Sequence, residues 1–193
     1  MTDPNGVLAD DPRLGPLVAE HGPLELEPAA DLYPRLVVSL SRQQVSMDAA
    51  AAIEERLFDR FEVTPAAMLA ADPADLQAVG LSAAKAEYVR AAARAFRDRE
   101  WDHDYFTGMN DDAVRAELTE VRGIGPWTAD MVLMFGLGRE DVFPVGDLGI
   151  RKAMQALFDA ELGRSEMRTR AAEGAPYRSY ASLYLWRAVE DES

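Results

Sequence analysis

The chain has no cysteine in its 193 residues. That excludes disulfides, thiolate zinc and an iron–sulfur cluster. It has only two histidines, His21 and His103, far apart in sequence. A histidine-built metal site or a Ser-His-Asp triad is therefore not expected. No apolar run approaches the roughly 20 residues of a membrane-spanning helix, and the first residues lack a signal-peptide pattern. The sequence reads as a cytoplasmic protein, with no membrane partner and nothing to suggest more than a monomer. Lysine is almost missing: Lys85 and Lys152 are the only lysines among 20 basic residues, and the formal net charge is −14. An acidic balance ordinarily argues against nucleic acid. In concentrated salt that objection weakens, because the Debye length shrinks to about 3 Å at 1 M. An acidic, lysine-poor chain is what a halophilic source would give. Such a protein would hold an anionic ligand with little dependence on salt.

What is present reads as helix after helix. Hydrophobic residues make up 48% of the chain, enough for one compact domain or two small lobes sharing a core. Residues 1–29 hold five prolines, Pro4, Pro12, Pro16, Pro23 and Pro28. They read as a loosely structured N-terminal extension with a short helix near 14–20. Beyond it, Thr64-Pro65 and Asp72-Pro73 each place an N-cap before a proline at the first helical position. Ser82 can cap a helix over 83–97, in which Val89, Ala92, Ala93 and Phe96 share one face. Asn110 or Asp111 can cap the next, with Val114, Leu118 and Val121 on its face. A last helix over 178–189 carries Leu183, Trp186 and Val189 on one side. No alternating strand and no repeat appear. The expected class is all-α, with short connections.

The stretch "VRGIGPWTAD" is the most informative one. Gly123 can take a positive φ without steric cost. Gly125 removes a side chain where a ligand backbone could approach. Pro126 suits the first helical position. The N–H groups of a first helical turn can bind phosphate without lysine or arginine. On residue types alone the turn is either that cradle or a plain helix connector. A dinucleotide fingerprint is not met, since no strand precedes the glycines and the third glycine is missing. Downstream, "DVFPVGDLGIRKAM" makes a second turn and sets Asp147 before a helix faced by Ile150, Met154 and Leu157. Asp147 is a good N-cap on its own account.

Taken together, "VRGIGPWTAD" and "DVFPVGDLGIRKAM" resemble the helix–hairpin–helix DNA glycosylase superfamily. The chain is most similar to its 3-methyladenine DNA glycosylase II (AlkA-like) group. "SLSRQQVSMDAAAAI", "VGLSAAKAEYVRAAARAF" and "YRSYASLYLW" resemble further segments of that group, so the likeness runs from about Ala30 to Trp186. The resemblance implies an all-α glycosylase domain over 30–193, with two helical lobes and an active-site cleft between them. It implies a partner, double-stranded DNA carrying a damaged base, and release of alkylated purines such as 3-methyladenine to leave an abasic site.

The same resemblance assigns residues. Asp147 matches the catalytic aspartate. Trp186, Trp127, Met131 and Tyr177 fall at the base pocket. Arg122, Gly123, Ile124, Gly125 and Thr128 belong to the DNA-gripping hairpin, with Arg178 as a further DNA contact. Gln43 and Gln44 fall where the family fills the gap left by a flipped nucleotide. Hairpin carbonyls near Gly123 and Gly125 would be the place for a monovalent cation, K+ or Na+; no other cofactor is implied. Two positions depart from the family: Met131 stands where a tyrosine is usual, and Gln44 where leucine is common. Bifunctional members carry a lysine nucleophile at the position of Trp127, so the resemblance implies no lyase step here. A non-catalytic hairpin module, or a glycosylase for hypoxanthine, uracil or a mismatched pyrimidine, stays open beside this reading.

Overall fold

The structure is a computed structural model and describes residues 3–190. Among these residues the chain is helical throughout, with no strand. It divides into two compact units. One, here the hairpin lobe, is Ala29–Leu137; the other, the aspartate lobe, is the chain up to Pro28 together with the chain from Gly138 onward.

The aspartate lobe opens with α1 (Pro4–Ala9) and α2 (Gly15–His21). The opening residues were expected to be loosely structured, apart from a helix near 14–20. That helix is α2, but α1 is a second one, and both are packed. Asp3 caps α1 by accepting from Asn5 and Gly6 N–H, and Pro4 occupies its first position. Leu8 and Leu14 enter the same core as Ile150, Met154 and Leu185. The buried Tyr184 hydroxyl lies 2.6 Å from Asn5 Oδ1 and 2.9 Å from the Gly22 carbonyl. The prolines there start helices and shape the connection; they do not loosen it.

The hairpin lobe holds α3 (Leu32–Ser41), α4 (Met47–Arg60), α5 (Pro65–Ala70), α6 (Pro73–Ala78), α7 (Ala83–Arg99), α8 (His103–Phe106), α9 (Asp111–Thr119) and α10 (Pro126–Met131). A π-turn, Val132–Gly136, continues α10. The caps are those the sequence marks: Thr64, Asp72, Ser82 and Asn110 each accept from a first-turn N–H. Leu36, Val37 and Leu40 of α3 are fully buried, as are Val89, Ala92 and Ala93 of α7 and Val114 and Leu118 of α9. An aromatic chain, Tyr33–Phe96–Trp101–Phe106, runs in edge-on and tilted contacts of 5.2–5.6 Å.

The aspartate lobe is completed by α11 (Leu148–Phe158), α12 (Arg164–Ala171) and α13 (Arg178–Glu190), with a single 3-10 turn, Ala172–Gly174, before α13. The face of α13 differs from the expected one. Tyr180, Ala181, Tyr184 and Leu185 are buried, whereas Leu183, Trp186 and Val189 are only half-buried. The hydroxyls of the tyrosines hid this from a hydrophobicity count, although most of each ring is apolar surface. Trp186 is thereby left at the margin of the core, on the side of Asp147.

Candidate active site

In the hairpin lobe, α9 ends in a tight turn whose own hydrogen bonds close it. Val121 N–H donates to the Leu118 carbonyl at 3.1 Å and Ile124 N–H to the Val121 carbonyl at 3.0 Å. Gly123 sits at φ +95°, where L side chains are strained. A Cβ there would also overlap the Tyr88 ring of α7, which closes the hairpin from beneath. Gly125 is different. Its φ of −93° suits any residue, and a Cβ would meet nothing within 4 Å. No internal contact requires a glycine at Gly125; its missing side chain leaves backbone open on the outer side. No side chain caps α10, which begins on Pro126.

Gln43 is not directed outward as an inserting residue. Its Nε2 donates to the Gly123 carbonyl and to Thr128 Oγ1, each at 2.9 Å. It clamps the hairpin to the first turn of α10. Thr128, expected to touch DNA, is 1% exposed and works from inside this clamp. Ile124 is likewise buried, so the hairpin offers its main chain and not that side chain. Gln44 is exposed and has φ +55°, at the turn between α3 and α4. Arg122 is exposed, Trp127 half-buried and Met131 5% exposed.

The same lobe has two anchors that sequence reasoning did not single out. Asp130 on α10, 8% exposed, pairs with Arg115 of α9 at 2.8 Å and ties the two hairpin helices together. Lys85, 9% exposed, donates from Nζ to the Ser41 carbonyl at 2.6 Å, and burial lowers its pKa. Its partner is the C-terminal end of α3, where a cation is favoured. Asp130 ends the stretch "VRGIGPWTAD" and Lys85 lies within "VGLSAAKAEYVRAAARAF", but neither stretch marks them as anchors; their burial and partners do.

The sequence points to hairpin carbonyls near Gly123 and Gly125 as the place for a monovalent cation. The Gly123 carbonyl accepts from Gln43, and the Gly125 carbonyl accepts from Ala129 N–H at 3.0 Å. Each carbonyl oxygen keeps a second lone pair beside its hydrogen bond. Among the described residues no cluster of carboxylates or histidines could hold a metal ion.

In the aspartate lobe the second turn places Asp147 at the N-cap of α11. Its Oδ1 accepts from Ile150 N–H at 3.0 Å and from the Trp186 indole Nε1–H at 2.9 Å. The two donors fix the direction of this oxygen. Asp147 is half-buried, beside the exposed Leu148. Trp186, expected in the base pocket, therefore also orients the aspartate. Tyr177 is half-buried and packs on Tyr180, with ring centroids 6.3 Å apart. Arg178, expected to contact DNA, instead forks onto Asp141: Nε–Oδ1 is 2.7 Å and Nη2–Oδ2 is 2.8 Å. That pair fixes the start of α13, and with it the helix that carries Trp186.

An all-α chain with a glycine hairpin ahead of one helix and an aspartate heading another has the fold of a helix–hairpin–helix DNA repair protein. Residues 37–176 match the HhH-GPD superfamily of base excision DNA repair proteins, and the chain belongs to that superfamily. It is 32% identical over 188 residues to YfjP of Bacillus subtilis, covering 92% of this chain and 66% of that one. DNA-3-methyladenine glycosylase 1 of Schizosaccharomyces pombe is 29% identical over 186 residues, 91% of this chain and 80% of its own. The solved structure of the Schizosaccharomyces pombe 3-methyladenine DNA glycosylase Mag1, in complex with abasic DNA, superposes with a TM-score of 0.89. It is 26% identical and covers 98% of this chain and 97% of its own. The chain spans slightly under two thirds of YfjP and 39% of a second Bacillus subtilis relative, a DNA-3-methyladenine glycosylase.

Proposed function

We propose that the chain is a monofunctional DNA glycosylase that hydrolyses the N-glycosidic bond of alkylated purines such as 3-methyladenine and leaves an abasic site. The observation that carries this is Asp147 at the head of α11, its carboxylate oriented by a backbone N–H and by the Trp186 indole. The names of the relatives, 3-methyladenine glycosylases among them, support the substrate class.

The chemistry follows from the residues. In duplex DNA the glycosidic bond is hidden, so the nucleotide is flipped out at a cost of a few kcal/mol, less for a damaged base. The hairpin holds the backbone through main-chain groups, and the open side of Gly125 lets a phosphate come close. This mode of contact suits a chain of net charge −14, because it does not rely on lysine. A 3-alkylated adenine is already cationic and leaves with little need of protonation. An aromatic face attracts such a cation by about 0.5–2 kcal/mol. The Trp186 hydrogen bond to Asp147 lies in the plane of the indole, so stacking on the ring face does not break it. As the bond to the base lengthens, the Asp147 carboxylate stabilises the oxocarbenium-like sugar and orients the attacking water. A lyase step would need an amine at the hairpin helix, and Trp127 supplies none. Lys85 is engaged on the Ser41 carbonyl.

The test is base release from methylated duplex DNA by wild type and by Asp147→Asn. Asparagine keeps the N-cap, so folding is retained. Release is expected to fall roughly 100-fold or more, as when an electrostatic stabiliser is removed. DNA binding should persist, with strands uncut until alkali is added. Binding without release of any base by wild type would make the protein a non-catalytic module and Asp147 a helix cap alone.

A further inference from the structure

Gly149 stands in the first turn of α11, two residues after Asp147. Its backbone is ordinary helix, so no left-handed conformation calls for glycine. Alanine is the better helix former, which makes a glycine here one that needs a reason. The reason is space. A Cβ at Gly149 would lie 3.1 Å from Asp147 Oδ1 and 3.1 Å from Trp186 Cδ1, with Trp186 Nε1 at 3.4 Å. Those are the two groups joined by the 2.9 Å indole–carboxylate bond. Their contact passes directly over the Gly149 Cα, where any other residue would push a methyl against both partners.

We propose that Gly149 is a positioning residue: its missing side chain is the seat on which the Trp186 indole and the Asp147 carboxylate meet. A methyl at that point displaces the tryptophan, the aspartate or both by a few tenths of an ångström. The indole–carboxylate bond is then stretched or bent, and the direction of the carboxylate is held less firmly. Such small displacements at a reacting group have large effects on rate. The role in catalysis rests on the glycosylase reading above; the role in seating the Asp147–Trp186 pair does not.

The experiment compares wild type, Gly149→Ala, Trp186→Phe and the double variant by two readouts. The first is single-turnover base release from methylated duplex DNA. The second is the indole N–H resonances of the free protein, of which there are three, from Trp101, Trp127 and Trp186. Absence of one in Trp186→Phe assigns the signal, and Asp147→Ala shows where it moves when its acceptor is lost. Gly149→Ala is expected to release base at least about 10-fold more slowly, to melt no lower than wild type, and to move only the Trp186 signal toward its Asp147→Ala position. In the Trp186→Phe background the added methyl should cost little more. An unchanged Trp186 signal in Gly149→Ala overturns the inference, whatever the rate does. So does a wild-type rate with a displaced signal, or a Gly149→Ala chain that does not fold. If wild type releases no base at all, the glycosylase reading fails, and the resonance alone still decides whether Gly149 seats the pair.

Discussion

Two of the turns that lead into helices, one in each lobe, end in opposite ways. The hairpin turn, Val121 to Gly125, delivers α10 with no side-chain cap and a glycine facing open space. The second turn, Pro144 to Asp147, delivers α11 with a carboxylate seated on its N-terminus. An uncapped first turn is a positive end that favours an approaching anion. A capped one has its orphan N–H answered and presents a negative charge of its own. The same local grammar therefore yields a place suited to phosphate in one lobe and a place suited to a developing cation in the other. The glycosylase reaction proposed above would use both, holding a polyanion while stabilising positive charge on one sugar.

The sharpest way to break this contrast lies inside the hairpin, between its two glycines. Gly123→Ala should be the most damaging change. It places a methyl into the Tyr88 ring at a φ of +95°. The backbone cost is about 1–2 kcal/mol, and overpacking adds about 1–3 kcal/mol. Urea denaturation should show a loss of about 2–5 kcal/mol, with DNA binding lost as the hairpin reshapes. Gly125→Ala should behave in the opposite sense. Nothing inside the protein meets its methyl, so stability should stay within about 0.5 kcal/mol of wild type. DNA affinity should fall by about 10-fold, equivalent to about 1.4 kcal/mol, if a phosphate approaches that face. Unchanged affinity in Gly125→Ala would make the turn a connector, with its phosphate role gone.

The sequence exposes this contrast unevenly. The helix starts were legible because each is written locally: Thr64, Asp72, Ser82, Asn110 and Asp147 all accept from the N–H that their position implies. The hairpin turn and the Asp147 cap were legible because glycine pairs and an N-cap are also local signals; their functional roles came only with the family resemblance. What remained hidden depends on partners distant in sequence. Gln43 falls where the family fills the gap left by a flipped nucleotide, yet its acceptors lie 80 and 85 residues away. Nothing near Gln43 announces that clamp. The first helix, α1, and the packing of α2 were hidden for a related reason. Leu8 and Leu14 acquire a core only when α11 and α13 return to them, long after the prolines have suggested a loose segment. Gly149 was in plain view in "GDLGIRK", but its meaning needs Trp186, 37 residues later, to be brought over it.

Arg178 gives the smallest effect and the finest test of how charge is divided within the aspartate lobe. An arginine at the head of the last described helix invites a phosphate role under the proposed function. Here its guanidinium forks onto Asp141, and its backbone N–H donates to the same carboxylate at 3.3 Å. The Arg178 side chain holds the Asp141 pKa below the usual carboxylate value, against the opposing effect of partial burial, with the backbone bond adding to it. The pair is about one third exposed, so solvent limits its worth; Arg178→Ala should lower stability by about 0.5–1 kcal/mol at pH 7. Because the folded pKa is depressed, this contribution is complete above the unfolded carboxylate value of about 3.9. It fades as pH falls through the depressed value and Asp141 takes up its proton. The difference between wild type and variant in denaturant melts should therefore close at acid pH without reversing. The backbone donor survives the substitution, so part of the acid sensitivity should remain in the variant. DNA affinity should be nearly unchanged. A 10-fold loss of affinity would instead mean that Arg178 leaves Asp141 for a phosphate on the duplex, and that this lobe too recruits positive charge when DNA arrives.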